Sequence, residues 1–161
     1  MTAHDRGAVA RSIIDANLYM VLATADEAGR PWASPVYFAN HGYGEFFWLS
    51  SPDATHSRNI GVRPQISIVI FDSQVPIGTG QAVYMPAVAE EVPRGEIERG
   101  INVFSQRSQE HGGVPWSLDD VQDETGLRLY RAIAKEHSVL AKDGRPDHRV
   151  VAAITTEGGE E

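Results

Sequence analysis

The chain of 161 residues has no cysteine. Disulfides, thiolate zinc sites, iron–sulfur clusters and a cysteine nucleophile are therefore excluded. Long apolar runs are missing as well, since none approaches the ~20 residues that a membrane-spanning helix needs. The opening residues, Met1 to Arg6, lack the basic-then-apolar order of a secretory signal. The expectation is a soluble, cytoplasmic protein. Positive charge is scarce: 14 Lys and Arg face 22 Asp and Glu, a formal net charge of −8. That balance argues against nucleic acid or an anionic membrane as partner, because each needs a basic face. The histidines (His4, His41, His56, His111, His137, His148) form no His-x-His or His-x-x-x-His pair, so no protein metal site is expected. Ser50-Ser51 has no Gly-x-Ser-x-Gly elbow around it. Gly78-Thr79-Gly80 precedes a strand-like run instead of following one, which rules out a dinucleotide fingerprint.

What is present is an ordinary globular composition, 42% hydrophobic and 22% charged. The length fits one domain of the usual ~100–150 residues. One domain is expected over residues 1–154, with 155–161 as a disordered acidic tail. Val9, Ile13 and Ala16 recur at helical spacing within residues 5–17. Three strand-like runs follow in meander order: Leu18 to Thr24, expected to be buried on both faces, then Trp32 to Ala39, then Glu45 to Ser50. A helix is expected after an N-cap at Ser51, with Pro52 at its first position, ending near Gly61. Ile66 to Phe71 and Thr79 to Glu91 read as strands, and Pro86 within the second predicts an edge or a bulge. Ile97, Ile101 and Phe104 mark an amphipathic helix after Pro93. Residues 109–126 read as loop with one helical turn after Ser117, and two strands, Leu127 to Leu140 and His148 to Ile154, finish the chain around Asp143-Gly144. Meander order without regular strand–helix alternation predicts a mainly β, small antiparallel barrel with helical inserts.

The densest cluster of chemistry is Ser50-Ser51-Pro52-Asp53-Ala54-Thr55-His56-Ser57-Arg58. Hydroxyls, an imidazole and a guanidinium gather where a strand enters a helix, and a helix start offers free N–H groups to an anion. Two readings stand side by side, a phosphate-binding turn and a capped surface helix. Trp32, Tyr37, Trp48 and Tyr84 can stack on a flat ligand or fill the core.

The order of motifs resembles the pyridoxamine 5′-phosphate oxidase-like family of flavin-binding split β-barrels. The resemblance rests on Leu22 to Val36, on Phe47-Trp48-Leu49-Ser50-Ser51-Pro52-Asp53, on Arg58-Asn59-Ile60 with Arg63 to Ile68, and on Gly80-Gln81-Ala82-Val83-Tyr84. It covers a little over half the chain, residues 8–92. It implies a six-stranded antiparallel split β-barrel with short flanking helices, forming a homodimer with flavin sites at the interface. The implied cofactor is FMN, or a deazaflavin, and some members take heme. By position, Ser34, Pro35 and Val36 would run along the flavin ring. Leu49 and Ser50 would lie near the ribityl chain and phosphate. Thr55 and His56 would stand where the family grips the phosphate, with Arg58 as the fixed charge, and Gln81 would touch the flavin from a later strand. Thr55 and His56 replace the family's usual cations, which makes the phosphate clamp weaker. Arg145-Pro146-Asp147-His148-Arg149 only loosely resembles the substrate motif of true pyridoxamine phosphate oxidases, so that reaction is not expected. The function implied is a flavin-dependent oxidoreductase of unknown substrate. The alternatives are a non-catalytic flavin carrier or sensor and a deazaflavin-dependent reductase. No catalytic side chain is assigned, and substrate choice is expected to lie in residues 109–140.

Overall fold

The computed structural model describes residues 1–122 and 126–154; the expected tail over 155–161 lies outside the described residues. The elements run α1 (Ala3–Ala16), β1 (Tyr19–Ala25), β2 (Pro31–Tyr37), β3 (Ala39–His41), β4 (Glu45–Ser50), α2 (Thr55–Val62), β5 (Gln65–Phe71), β6 (Ala82–Glu91), α3 (Ile97–Glu110), β7 (Arg128–Ala134), β8 (Ser138–Leu140) and β9 (Arg149–Val151). Single 3-10 turns sit at Arg94–Glu96 and Leu118–Val121. The second of these starts at Ser117 with a capping box to Asp120, at the position the sequence indicated.

One antiparallel sheet carries the fold, in the order β2-β1-β5-β6-β7-β4-β3, with β8 added on β6 and β9 on β8. β2 comes close to β4 without pairing to it, so the sheet curls into a barrel left open along that line. This is the split barrel that the sequence implied, but with nine strands where six were expected. The strand expected over 127–140 is divided into β7 and β8, because the chain leaves β7 at Ala134 and pairs again only from Ser138, with β6 and β9. The barrel interior takes alternate residues: Met20 and Leu22 from β1, Ile66, Ile68 and Ile70 from β5, Val83 and Met85 from β6. Ala10 and Ile14 of α1 seal it, packing toward β5, β6 and β8. A second cluster lies outside the barrel wall, where Ile101 and Phe104 of α3 meet Phe47 and Leu129.

Three further expectations change. β1 is not buried on both faces: Met20, Leu22 and Thr24 point inward while Tyr19 and Ala23 are exposed. The run is apolar, but the sheet has one layer there, and only its inner face meets the core. The run over Trp32 to Ala39 divides into β2, paired with β1, and β3, paired with β4. Finally, α2 starts at Thr55 rather than after Ser51. The Ser51 hydroxyl accepts from Asp53 N–H at 3.1 Å and its carbonyl from Ala54 N–H at 3.1 Å, closing a turn before the helix begins.

Pro86 sits within β6 without breaking it. β6 pairs with β8 up to Tyr84 and with β7 from Ala87, so the proline falls at the changeover, where that side asks for no N–H donor. Gly100 is equally well placed, since a Cβ there would lie 2.8 Å from both Leu129 Cδ2 and Phe47 Cε1. Gly100→Ala gains about 0.5–1 kcal/mol of helix propensity but overpacks a filled interface at about 1–3 kcal/mol. Net destabilisation is expected, read as a lower urea midpoint; a raised midpoint would show that α3 can shift outward.

Candidate functional site

The end of β4, the start of α2 and the middle of β2 form one side of a cleft of about 730 Å³. Pro35, Val36, Leu49, Ser50 and His56 line this side. The opposite wall is the last part of α3, with Phe104 and Ser108, continued by residues 111–114 and Trp116. The volume is in the usual range of small-molecule sites, about 300–1,000 Å³.

Each wall is fixed by identifiable bonds. Asn59 of α2 donates to Thr24 Oγ1 on β1 at 3.0 Å, a buried pair that anchors the helix on the barrel. His56 is buried, and its Nε2 lies 2.6 Å from Ser50 Oγ, tying the first turn of α2 to the end of β4. Across the cleft, Gly112 adopts φ +78°, a left-handed conformation that ends α3 without strain. The loop then folds back on the helix: Ser108 Oγ donates to Val114 O at 2.8 Å, and Ser105 Oγ accepts from Trp116 N–H at 2.8 Å. Arg107 stands behind this wall. It donates to the carbonyls of Phe38 and Asn17 and lies over the Phe38 ring at 4.4 Å. Tyr19, Tyr37, Phe104 and Trp116 make a chain of edge-to-face rings with centroids 6.0, 5.5 and 6.1 Å apart.

The cleft therefore has two ends of different character. Ser50 and His56 at the start of α2 form a polar end; the aromatic chain with Val36, Leu49, Val114 and Leu127 forms an apolar one. No residue lining it carries a fixed charge, among the described residues. Nor do these residues hold any group of three His, Cys, Asp or Glu placed for a metal ion.

Five of the nine residues singled out from sequence meet in the cleft: Pro35, Val36, Leu49, Ser50 and His56. Ser34 lies on β2 beside them, half-buried and in register with Leu22. Thr55 is exposed at the first position of α2. Arg58 is 70% exposed and pairs with Asp53 at 3.7 Å. Gln81 lies elsewhere, bridging strands: its amide donates to Leu140 O at 3.0 Å and accepts from Leu140 N–H at 2.8 Å. Of the aromatic candidates, Trp48 is core, stacked on Tyr130, while Tyr37 lines the cleft. In the wall from Phe104 to Trp116, the sequence marked Phe104 only as a helix residue and 111–116 only as part of the 109–140 region expected to set substrate choice. Its one local signal was the Gly112-Gly113 pair after a helical run, a helix stop.

Burial pushes the His56 imidazole below its ordinary value, and burial does the same to His137, opposed there by the bond to Tyr43 O. Unfolded, both titrate near pH 6.5. Below about that pH the unfolded chain binds more protons than the folded one, so stability is lost as pH falls and fully present above it. Each histidine contributes a slope of at most about 1.4 kcal/mol per pH unit. His137→Gln is expected to flatten the urea-midpoint profile between about pH 5 and 7; an unchanged profile would remove His137 from the acid response.

The profile of the pyridoxamine 5′-phosphate oxidase family matches residues 8–158. Heme oxygenase HutZ of Vibrio cholerae serotype O1 is 32% identical over 111 residues, 67% of this chain and 62% of that protein. The chain thus spans under two thirds of that relative's length. The crystal structure of HutZ, the heme storage protein from Vibrio cholerae, superposes with a TM-score of 0.60 at 25% identity, covering 78% of this chain and 87% of that one. An FAD-binding protein from Mesorhizobium loti superposes with a TM-score of 0.62 at 19% identity, covering 82% and 91%.

Proposed function

The chain belongs to the pyridoxamine 5′-phosphate oxidase family, and on that premise we propose that its cleft holds FMN and that it serves as a flavin-dependent oxidoreductase. The two-ended chemistry of the cleft carries this reading. A phosphate fits the polar end, where Ser50 and the first amides of α2 supply donors, and Arg58, exposed outside the lining and paired with Asp53, would swing in to supply the fixed charge. A flat ring fits the apolar end, between β2 and the aromatic chain. Bound there, FMN would supply the hydride-transfer chemistry. The chain's own part is binding, orientation and exclusion of water by Leu49, Phe104 and Trp116. A deazaflavin with its anionic polyglutamate tail fits less well, because the lining residues offer it no fixed positive charge.

Micromolar FMN should bind saturably and bring yellow colour to the protein; absence of binding overturns the proposal. Reduction by NADPH separates an oxidoreductase from a carrier that holds flavin without turnover. Arg58→Ala is expected to weaken FMN by about tenfold, the low end for a hydrogen bond to a charged group, and to leave riboflavin unchanged. Equal losses would assign Arg58 to the fold. The exposed apolar residues Tyr19 and Phe71 on the outer face of β1 and β5, with Trp32 exposed on the edge strand β2, give a second copy a place to pair. A monomer in sedimentation at every concentration would remove the homodimer.

A second reading, a heme-binding protein, is favoured by the relative HutZ and by the histidine at the end of α3.

A further inference from the structure

His111 closes α3 and lines the cleft as well as an adjoining hollow of about 450 Å³. Its Nδ1 lies 2.9 Å from the carbonyl oxygen of Arg107, one turn earlier. A carbonyl only accepts, so Nδ1 carries the proton, and the neutral ring keeps its lone pair on Nε2. No described residue hydrogen-bonds that Nε2. A ring held through N–H to a backbone carbonyl, with its other nitrogen open, is the usual setting of a metal-ligating histidine: the bond fixes ring orientation and raises ligand basicity. The ring cannot drift far, because the loop beyond it is pinned to α3 through Ser105 and Ser108.

The other described histidines are committed or remote. His56 Nε2 lies on Ser50 Oγ. His137 Nε2 donates to Tyr43 O at 2.5 Å. His148 has Nδ1 on Pro146 O and Nε2 3.2 Å from Arg145. His4 is an exposed residue of α1, and His41 lines only the adjoining hollow. In the cleft, His111 has its Nδ1–H held by a backbone carbonyl and its Nε2 open, whereas His56 is buried and has its Nε2 taken by Ser50 Oγ; Tyr37, Phe104, Val114 and Trp116 offer flat apolar walls beside His111. These walls and this nitrogen fit an iron porphyrin, whose iron commonly takes one axial imidazole.

Resting on the heme reading, we propose that His111 Nε2 is the axial ligand to the iron of a heme seated in this cleft. The step is coordination alone: the imidazole lone pair displaces a weak axial ligand from ferric hemin, with no change of oxidation state.

The test is hemin titration of the full chain, followed by the Soret band, by resonance Raman of the reduced form and by FMN titration in parallel. Wild type is expected to bind one hemin and to show an iron–histidine stretch. His111→Ala should lose that stretch and weaken hemin by at least the about 10–100-fold that losing an outer-shell partner costs a metal site. Added imidazole should restore the spectrum. His111→Met should bind hemin with an altered spectrum, and His56→Ala should keep the iron–histidine stretch. Circular dichroism of each variant checks folding. If His111→Ala and His111→Met both keep the wild-type spectrum and affinity, the assignment of His111 is overturned while the heme reading stands. If wild type binds no hemin stoichiometrically, the heme reading falls and the assignment with it; the FMN titration is read separately.

Discussion

Arg131→Ala is expected to lower the free energy of unfolding by about 3 kcal/mol, at the low edge of what breaking a buried ion pair costs. Arg131 on β7 is only 13% exposed and holds two carboxylates. It grips both oxygens of Glu96 at 2.9 Å, and Glu90 at 2.6 and 2.9 Å. Glu45 stands at 3.5 Å and is itself held by Arg99 at 2.8 and 2.9 Å. The group joins β4, β6, β7, the 3-10 turn before α3, and α3. These bonds, led by Glu96, hold the Arg131 guanidinium above its already high ordinary value. The loss stays at the low edge because Glu90 and Glu96 are half exposed and regain water when Arg131 is gone. Arg131→Lys should recover only part, since an ammonium cannot reproduce the two-pronged contact. Urea denaturation at fixed protein concentration reads the effect. A change below about 1 kcal/mol, the worth of an exposed pair, would show that the network is surface decoration.

The second large effect is expected at Trp48. Trp48→Ala should cost about 3–5 kcal/mol, the usual cost of removing a core Phe or Trp. The ring is fully buried in the barrel and stacks on Tyr130 at 5.9 Å, its cross-strand partner. Trp48→Phe is a sharper test. Among the described residues the buried indole Nε1–H has no hydrogen-bond partner, and an unmet buried donor costs about 1–3 kcal/mol. Phenylalanine removes that donor while giving up part of the ring, so the two terms oppose and a net change within about 1.5 kcal/mol is expected. If Trp48→Phe cost as much as Trp48→Ala, the indole N–H would be making a stabilising contact and the unmet-donor argument would fall. Because Trp48 stands two residues before Ser50 on β4, the alanine variant should also loosen the polar end of the cleft. FMN titration below the unfolding transition would report that.

The strands were legible because their periodicity is local. Ile66, Ile68 and Ile70 alternate with Ser67 and Val69, and β4 emerged with the residues expected of it, Glu45 to Ser50. The turn chemistry was partly legible: Ser117 capped its helical turn, while Ser51 closed a separate turn ahead of α2. Each serine stands ahead of an acidic residue within three positions, Ser51 of Asp53 and Ser117 of Asp120, and the local pattern does not say which N–H the hydroxyl will accept from. The burial of β1 was misjudged because an apolar run does not say how many layers cover it.

At the candidate site, the sequence by itself determined one wall. Pro35, Val36, Leu49, Ser50 and His56 come from segments whose order and spacing carry the family resemblance. By lacking cysteine it also set aside disulfide and thiolate chemistry. The tertiary structure decided the rest. It brought α3 and residues 111–116 across from β2, committed Gln81 to β8 and turned most of Arg58 to solvent. It buried His56 against Ser50 and left His111 with an open nitrogen. Those outcomes depend on contacts between residues tens of positions apart, such as Asn59 with Thr24 and Arg107 with Asn17 and Phe38. Periodicity and local spacing report only near neighbours along the chain, whereas a cleft is made where distant segments close on one another.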